Sequence, residues 1–230
     1  MTEYDKDAIV TPYVTSYIRE KTVQKDELLR DMEEYAAKNS VPIAEPETAR
    51  LLSVITKLKA PERILEVGCA IGYSSILMAK SMKKGGSILT LEYDTDMIEK
   101  ARVNIRRAGL ENTISVREAD AKDYLWYIDE DESFDMIFLD GPKAHYVYML
   151  DDCVRLLKKG GLLISDNVLF KGMTADDGHF VRRKVTIINR LREYIDALME
   201  HPQLETSILS QGDGVTLSVK IMSDRERFGY

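Results

Sequence analysis

The sequence has little cysteine, no long apolar run and no excess of positive charge, and each absence argues against a class of protein. Its 230 residues include two cysteines, Cys69 and Cys153, too few and too far apart for a disulfide framework or a zinc cluster. The longest apolar runs have the length of a strand rather than of a membrane span. Residues 1–7 are polar and acidic, unlike a secretory signal. We therefore expect a cytoplasmic protein without a membrane partner.

The net charge of −7 argues against a protein that binds nucleic acid by bulk electrostatics. It leaves room for a local basic patch, because binding depends on how the charge is distributed. No repeat and no linker divides the chain. We therefore expect a single domain, in which residues 1–60 form a helical extension and residues 61–230 an α/β core.

Apolar residues at helical spacing in residues 24–38, and Pro46 at the start of the next helical pattern, predict helices in the first sixty residues. Glycines at 85–86, 109 and 160–161 are predicted to end helices. A long helix is predicted over residues 177–200. Two strands around the turn "QGDG" then predict an antiparallel hairpin at one edge of the sheet.

From residue 61 onward, short apolar segments alternate with amphipathic helical ones. Such alternation, with continuous apolar strands, predicts a parallel sheet covered by helices on both faces. The predicted strands are "RILEVG", "SILTLE", "TISVREAD", "FDMIFLD" and "GLLISDN".

Each of these five strands ends near a carboxylate. In open α/β sheets, ligands bind outside the carboxyl ends of the strands. One such acid could simply cap a helix, but five favour a ligand with several hydroxyl, amino or cationic groups. The residues are Glu66, Glu92, Asp120, Asp140 and Asp166.

The loop "EVGCAIGYS", residues 66–74, lacks the G-x-G-x-x-G spacing of a dinucleotide site. A pyrophosphate would be repelled by Glu66, whereas S-adenosylmethionine carries positive charge on its sulfur and ammonium groups. Glu92 could accept hydrogen bonds from both ribose hydroxyls, and Asp120 could contact the adenine amino group. The loop therefore favours a methyltransferase over a dehydrogenase.

The segments "LEVGCAIGYSS", "FLDGPKAHY" and "SDNVLFKG" resemble the divalent-metal-dependent O-methyltransferases that include catechol and caffeoyl-coenzyme A methyltransferases. The resemblance extends over residues 24–220. It implies a Rossmann-like methyltransferase fold with a mostly parallel seven-stranded sheet and an antiparallel carboxyl-terminal hairpin. It also implies a homodimer formed through the amino-terminal helices.

The same resemblance implies roles for individual residues. Asp140, Asp166 and Asn167 would bind Mg²⁺, and Lys143 would lie beside the substrate hydroxyl. One departure is that Gly141-Pro142 follow Asp140, where the family usually has a small residue such as alanine, and proline stiffens that loop. The residues expected around S-adenosylmethionine are Glu66, Gly68, Ala70, Ser74, Glu92, Asp120, Ala121 and Asp140.

These residues suit the methylation of a substrate hydroxyl that lies next to a second substrate oxygen. Mg²⁺ prefers octahedral oxygen ligands and leaves positions open for two adjacent substrate oxygens. It makes a bound hydroxyl more acidic, and Lys143 would act as the general base. Vicinal hydroxyls of a catechol supply the two oxygens, and so do the C5 hydroxyl and C4 carbonyl of 5-hydroxyuridine.

Two substrates therefore stay open. The carboxyl third, with "DNVLFKG", "GDGVTLSVK" and the basic cluster at residues 182–184, is similar to the bacterial tRNA 5-hydroxyuridine methyltransferases of this family, which implies tRNA as partner and 5-methoxyuridine at wobble position 34 as product. The acidic net charge favours the alternative, a small catechol or phenolic substrate such as a caffeoyl derivative. A non-catalytic cofactor-binding protein is disfavoured by the intact Asp140, Lys143, Asp166 and Asn167.

Other notable residues receive simpler interpretations. Cys69 is predicted to be a small buried residue of the cofactor loop, and none of His145, His179 and His201 is predicted to be a metal ligand. The aromatic residues Trp126, Tyr146 and Tyr148 are predicted to pack in the protein. Residues 168–170 are predicted to form a wall of the substrate pocket.

Overall fold

A single sheet of seven strands organises the part of the chain that the computed structural model describes, residues 9–176 and 182–229. The strands are β1 (Arg63–Val67), β2 (Ser87–Glu92), β3 (Ile114–Glu118), β4 (Phe134–Leu139), β5 (Leu157–Asp166), β6 (Leu204–Leu209) and β7 (Val215–Lys220). Their order in the sheet is β3-β2-β1-β4-β5-β7-β6.

The sheet is mixed, as the sequence predicted. β1 to β5 pair in parallel, whereas β7 runs antiparallel to both β5 and β6. The hairpin turn, residues 211–214, joins β6 to β7, and β6 forms one edge of the sheet. Because parallel strands end at the same edge, the carboxyl ends of β1, β2, β4 and β5 lie next to one another.

Helices cover the sheet on both faces. They are α1 (Pro12–Lys21), α2 (Glu27–Asn39), α3 (Pro46–Lys59), α4 (Tyr73–Ala79), α5 (Thr95–Arg107), α6 (Ala121–Tyr124), α7 (Tyr146–Leu156), α8 (Val185–Glu200) and α9 (Asp224–Phe228). One apolar cluster joins Leu29 of α2 and Leu52 of α3 to Ile64 of β1. A second, on the opposite face, joins Leu65 to Leu150 of α7 and to other residues of α7 and α8.

The first sixty residues contain three helices, which confirms the helical prediction. α2 begins after Asp26, whose carboxylate accepts a hydrogen bond from Leu29 N at 3.1 Å, and α3 begins at Pro46, where a first turn tolerates proline. The predicted extension and the predicted core thus share one apolar cluster.

Two of the three glycine predictions are wrong. Gly109 does follow α5, with φ of 66°, but α4 ends at Ala79, well before Gly85-Gly86. α7 ends at Leu156, and β5 starts at the next residue. The 160–161 pair lies instead within β5, where the pairing with β4 shifts register. The last carbonyl groups of α7 accept hydrogen bonds from Lys220 Nζ, Glu132 N and Ser133 N, so that no capping glycine is needed.

The predicted helix over residues 177–200 is observed as α8 from Val185, preceded by a 3₁₀ turn at Arg182–Lys184. Residues 177–181, and with them His179, lie outside the described residues. Cys69 and Cys153 are both buried and unpaired. Within the described ranges, every helix is too short or too polar to cross a lipid bilayer.

A pair of substitutions on α3 tests whether this helix packs on the sheet. Leu52 is 2% exposed and Leu58 is 81% exposed. Leu52→Ala should lower the free energy of unfolding by about 2–5 kcal/mol, because it leaves a cavity in the core. Leu58→Ala, the matched control, should change it by less than about 0.5 kcal/mol. Urea unfolding of both variants measures the difference, and equal effects would contradict the packing described.

Candidate active site

A cavity of about 660 Å³ opens at the carboxyl ends of β1, β2 and β4. Most residues predicted to bind a ligand lie along it. The predicted residues that line it are Gly68, Ala70, Ser74, Glu92, Asp120, Ala121, Asp140, Lys143 and Asn167. Glu66 and Asp166 are not among the lining residues, although both are buried close to it.

Gly68 brings the loop after β1 into contact with the end of β4. Its φ is 85°, and a Cβ atom there would lie 2.6 Å from the carbonyl oxygen of Asp140. Backbone hydrogen bonds hold the approach, from Gly68 N to Leu91 O at 2.8 Å and from Asp140 N to Val67 O at 2.9 Å. A side chain at position 68 would therefore separate the two loops.

Glu92 ties the loop after β1 to the end of β2. Its Oε2 accepts a hydrogen bond from Ala70 N at 3.0 Å, and its Oε1 accepts from Tyr93 N at 2.9 Å and Asp94 N at 3.1 Å. A carboxylate oxygen has two acceptor positions, so Oε2 keeps one for a ligand. This is compatible with the predicted role of Glu92 as an acceptor for ribose hydroxyls.

Two of the lining carboxylates also cap helices. Asp120 Oδ1 accepts a hydrogen bond from Lys122 N at 3.0 Å at the start of α6. Asp94 Oδ1 accepts from Met97 N at 3.2 Å at the start of α5. Asp94 lines the cavity but was not predicted to do so, although its place two residues after a predicted strand was the available signal.

Glu66 lies behind the cavity wall. It is fully buried, and its Oε2 accepts a hydrogen bond from the Ser75 hydroxyl of α4. Burial raises the pKa of Glu66 to about 7, and the nearby hydroxyls of Ser74, Ser75 and Thr90 offset part of that effect. Glu66 therefore joins the end of β1 to the first turn of α4, which follows the loop after β1.

Asp140, Lys143, Asp166 and Asn167, predicted to act together, meet at one corner of the cavity. Lys143 Nζ donates to Asp140 Oδ1 at 2.9 Å, and the two side chains are 21% and 16% exposed. The Gly141-Pro142 step thus leaves Lys143 within reach of Asp140. Asn167 N donates to Asp166 Oδ1 at 2.7 Å.

Asp166 is short of a partner. It is 1% exposed, and its Oδ2 has no hydrogen-bond partner in the described part of the chain. Burial, and to a smaller extent the charge of Asp140, raises the pKa of Asp166 to about 8. A buried carboxylate in this state gains free energy from a cation.

The corner fits a hard divalent cation. It offers two carboxylates and one amide oxygen, the donor types that Mg²⁺ takes together with water. Among residues 9–176 and 182–229, no group of three or more His, Cys, Asp and Glu could hold a metal. A third protein ligand at the corner would therefore be the amide oxygen of Asn167.

The basic cluster of residues 182–184 contacts the segment after Asn167 through Lys184. Lys184 Nζ lies 5.6 Å from the ring centre of Phe170, and Arg182 and Arg183 are exposed. The basic residues 182–184 therefore lie next to the loop that contains the candidate metal ligands.

The predictions for the aromatic residues are partly wrong. Tyr146 is fully buried and donates to Leu139 O at 3.0 Å, which confirms its packing role. Trp126 is 73% exposed, because Leu125 occupies the buried position of the same 3₁₀ turn. Tyr148 is 48% exposed, and its ring faces Arg190 with 4.9 Å between guanidinium and ring centre.

Residues 42–45 were not predicted to line the cavity, whereas residues 168–170, predicted to form its wall, pack in or against the second apolar cluster and do not line it. Residues 42–45 line the cavity, and Arg19 of α1 forms ion pairs with Glu45 and Glu47. His145 also lines the cavity, with Nδ1 unpaired within the described ranges. Val168 is fully buried in the core, so its predicted place in the pocket wall is wrong, whereas the burial predicted for Cys69 is confirmed.

A change at Glu66 should alter how stability depends on pH. The carboxyl pKa rises from 4.5 to about 7 in the folded chain, so the wild type loses stability as pH rises through this window. Relative to the wild type, Glu66→Gln should gain up to about 3 kcal/mol between about pH 5 and about pH 8. Urea unfolding of the cofactor-free protein measures this, with exposed Glu99→Gln as control. A pH-independent difference would contradict the burial of an ionisable group.

Known proteins resemble the chain over most of its length. A sequence model of the O-methyltransferase family matches residues 19–221. A catechol O-methyltransferase of Niastella koreensis is 33% identical over 168 residues, which cover 71% of this chain and 76% of that protein. Caffeoyl-CoA O-methyltransferase 2 of Populus trichocarpa is 28% identical over 226 residues, 94% of this chain and 92% of that protein.

A solved structure agrees with the fold. The crystal structure of an O-methyltransferase from Bacillus cereus in complex with SAH superposes with a TM-score of 0.79 at 26% identity, covering 90% of this chain and 97% of that one. The family match, the relatives and the shared sheet all point to the same enzyme class. The chain belongs to the O-methyltransferase family and is an S-adenosylmethionine-dependent O-methyltransferase.

Proposed function

We propose that this enzyme needs Mg²⁺ or another divalent cation, and that it methylates a hydroxyl on a ring that carries a second oxygen beside it. The observation that carries the proposal is the unpaired, buried Oδ2 of Asp166 next to Asp140 and Asn167. When bound, the metal would make the substrate hydroxyl more acidic and orient it.

The residues of the corner have distinct tasks in this proposal. Asp140, Asp166 and Asn167 would hold the cation, and Lys143, as the neutral amine, would accept the hydroxyl proton at Nζ. The loop after β1, together with Glu92, holds the methyl donor. The donor lies on the side of Gly68 that faces away from the cation. Transfer depends on alignment of donor carbon and acceptor oxygen, and the contact of Gly68 with Asp140 supports that alignment.

Substitutions at the corner separate metal binding from proton transfer. Asp140→Ala should lose both Mg²⁺ binding and methyl transfer, because a ligand is missing. Lys143→Ala should keep Mg²⁺ binding and lose about 10²–10⁴-fold in methyl transfer, the usual worth of a general base. Calorimetry with Mg²⁺ and mass spectrometry of the product measure the two effects.

The control for this pair is Asp151→Ala, which removes an exposed carboxylate of α7. It should change neither measurement. An Asp140→Ala enzyme with normal activity would overturn the metal assignment, and a fully active Lys143→Ala enzyme would overturn the general base.

As substrate we propose 5-hydroxyuridine at the wobble position of tRNA, which would become 5-methoxyuridine. Its C5 hydroxyl and C4 carbonyl are the adjacent oxygens that a chelated cation can take. Support comes from the basic residues 182–184 beside Phe170, since cations near a site mouth can contact phosphates. Support also comes from the resemblance of the carboxyl third to the tRNA enzymes.

A small catechol or a caffeoyl derivative is the second candidate. The catechol O-methyltransferase of Niastella koreensis and the plant caffeoyl-CoA O-methyltransferases favour it, and so does the net charge of −7. The same metal corner would serve both rings, because each presents two neighbouring oxygens. The two candidate substrates therefore differ in the part of the molecule that would lie outside the cavity.

Neutralising the basic cluster distinguishes these substrates. The triple change Arg182→Gln, Arg183→Gln and Lys184→Gln should weaken methylation of unmodified tRNA and make it less sensitive to salt, because fewer phosphates are neutralised. Methylation of a free catechol should hardly change. The matched control neutralises three exposed arginines of α5, Arg102, Arg106 and Arg107. Equal losses on tRNA and catechol would contradict a phosphate-binding cluster.

We also propose a homodimer, as the family resemblance implies. α1 has no buried side chain, and Tyr13 and Tyr17 are 67% and 61% exposed. These apolar side chains are compatible with a protein interface.

A further inference from the structure

The segment of residues 167–172 has a strained backbone next to the candidate metal site. Asn167, Phe170 and Lys171 have φ angles of 58°, 47° and 57°, in the left-handed region that residues with a Cβ rarely adopt. Such strain persists only where surrounding contacts fix it, and it is common at functional sites. The contacts that fix this segment therefore determine where the side chain of Asn167 lies.

The hairpin turn supplies those contacts. Val168 N donates to Gly214 O at 3.0 Å, and Leu169 N donates to Asp213 O at 3.1 Å. Lys171 N donates to the carboxylate of Asp213. Two of the three hydrogen bonds use the main chain of the turn, and the third depends on one side chain.

The turn itself has little freedom to move. Gly214 has a φ of 84°, and a Cβ atom there would lie 2.6 Å from Leu169 Cβ and 2.8 Å from Leu169 N. On the opposite side, Gln211 Nε2 donates to Glu47 O of α3 at 2.5 Å. The turn is thus held between α3 and the strained segment.

The charge of Asp213 is also felt at the candidate site. Burial raises the pKa of Asp213, while the ammonium groups of Lys171 and Lys143 lower it. The same carboxylate adds to the negative charge that acts on Asp166. Asp213 therefore lies close enough to the corner for its charge to act on Asp166 and Lys143, without being one of the predicted metal ligands.

We propose that Asp213 is a positioning residue for the metal site. Its carboxylate holds the amide of Lys171, and its main chain holds the amide of Leu169, so that the strained segment keeps Asn167 at the cavity. The inference rests on the proposed metal-dependent function, and it assigns the hairpin turn a role in that function.

Direct metal binding tests the inference without any turnover. Mn²⁺ affinity is measured by electron paramagnetic resonance of the free ion, and S-adenosylhomocysteine affinity by calorimetry on the same samples. Asp213→Ala should lose about 10–100-fold in Mn²⁺ affinity, the usual cost of removing a group that orients a metal ligand. Its affinity for S-adenosylhomocysteine should stay unchanged.

Two further variants act as rescue and control. Asp213→Asn keeps an oxygen that accepts a hydrogen bond, although a neutral one, and should lose less than about tenfold. Asp26→Ala removes a carboxylate that also accepts from a backbone amide, at the start of α2, and should leave Mn²⁺ affinity unchanged. If Asp213→Asn loses as much as Asp213→Ala, hydrogen bonding does not explain the effect and the inference is overturned.

The outcomes separate this inference from the proposed function. If the wild type binds Mn²⁺ and Asp213→Ala binds it equally well, the positioning role is overturned and the metal site stands. If the wild type does not bind Mn²⁺, both are overturned. Should Asp213→Ala also lose S-adenosylhomocysteine, Asp213→Ser decides, because it suits a turn but is one bond too short to reach Lys171 N. Normal Mn²⁺ affinity in Asp213→Ser overturns the inference, and a selective loss supports it.

Discussion

The close approach of two loops, one after β1 and one after β4, is the constraint on which the candidate site depends. At Gly68 a single hydrogen atom faces the carbonyl oxygen of Asp140, where a Cβ would lie only 2.6 Å away. The loop expected to hold the methyl donor is therefore in direct contact with the backbone of Asp140, whose side chain is expected to hold the cation. Methyl transfer needs a short and aligned path between donor and acceptor. This backbone contact fixes the distance between the two loops along which that path would run.

Two carboxyl groups are buried near that contact, and each has one oxygen without a hydrogen-bond partner within the described ranges. Glu66 accepts a hydrogen bond from the Ser75 hydroxyl through its other oxygen, and its neighbours are serine and threonine hydroxyls. Asp166 lies instead next to a second carboxylate, that of Asp140. Buried ionised groups are costly unless they are paired, so the arrangement lowers stability at the place where a cation would restore it. Local rules of stability are broken in this way mainly at functional sites.

Much of the fold could be predicted because its signals are local. Continuous apolar strands, Pro46 and the "QGDG" turn each predict structure from a few neighbouring residues. The surroundings of Glu66 could not be predicted from neighbouring residues, because they depend on which helix covers its face of β1. Ile64 and Glu66 share one face of β1 by alternation, and Ser75 meets Glu66 there. The position of Asp213 depends similarly on a segment about forty residues earlier in the chain, which no turn pattern reveals.

The five carboxylates at the strand ends have different hydrogen-bond partners, and these partners indicate which of them can bind a ligand. Asp120 caps a helix through Oδ1 and still lines the cavity, so capping and ligand binding are compatible in one carboxylate. A cap also fixes the side chain, which lowers the entropy that a ligand must overcome. Asp140 and Asp166 cap no helix, because Asp140 accepts a hydrogen bond from Lys143 Nζ and Asp166 Oδ1 accepts one from the amide of Asn167, directly after β5. Asp120, which caps a helix, therefore suits the amino group of a cofactor, whereas Asp140 and Asp166 are the acids that the proposed cation would take.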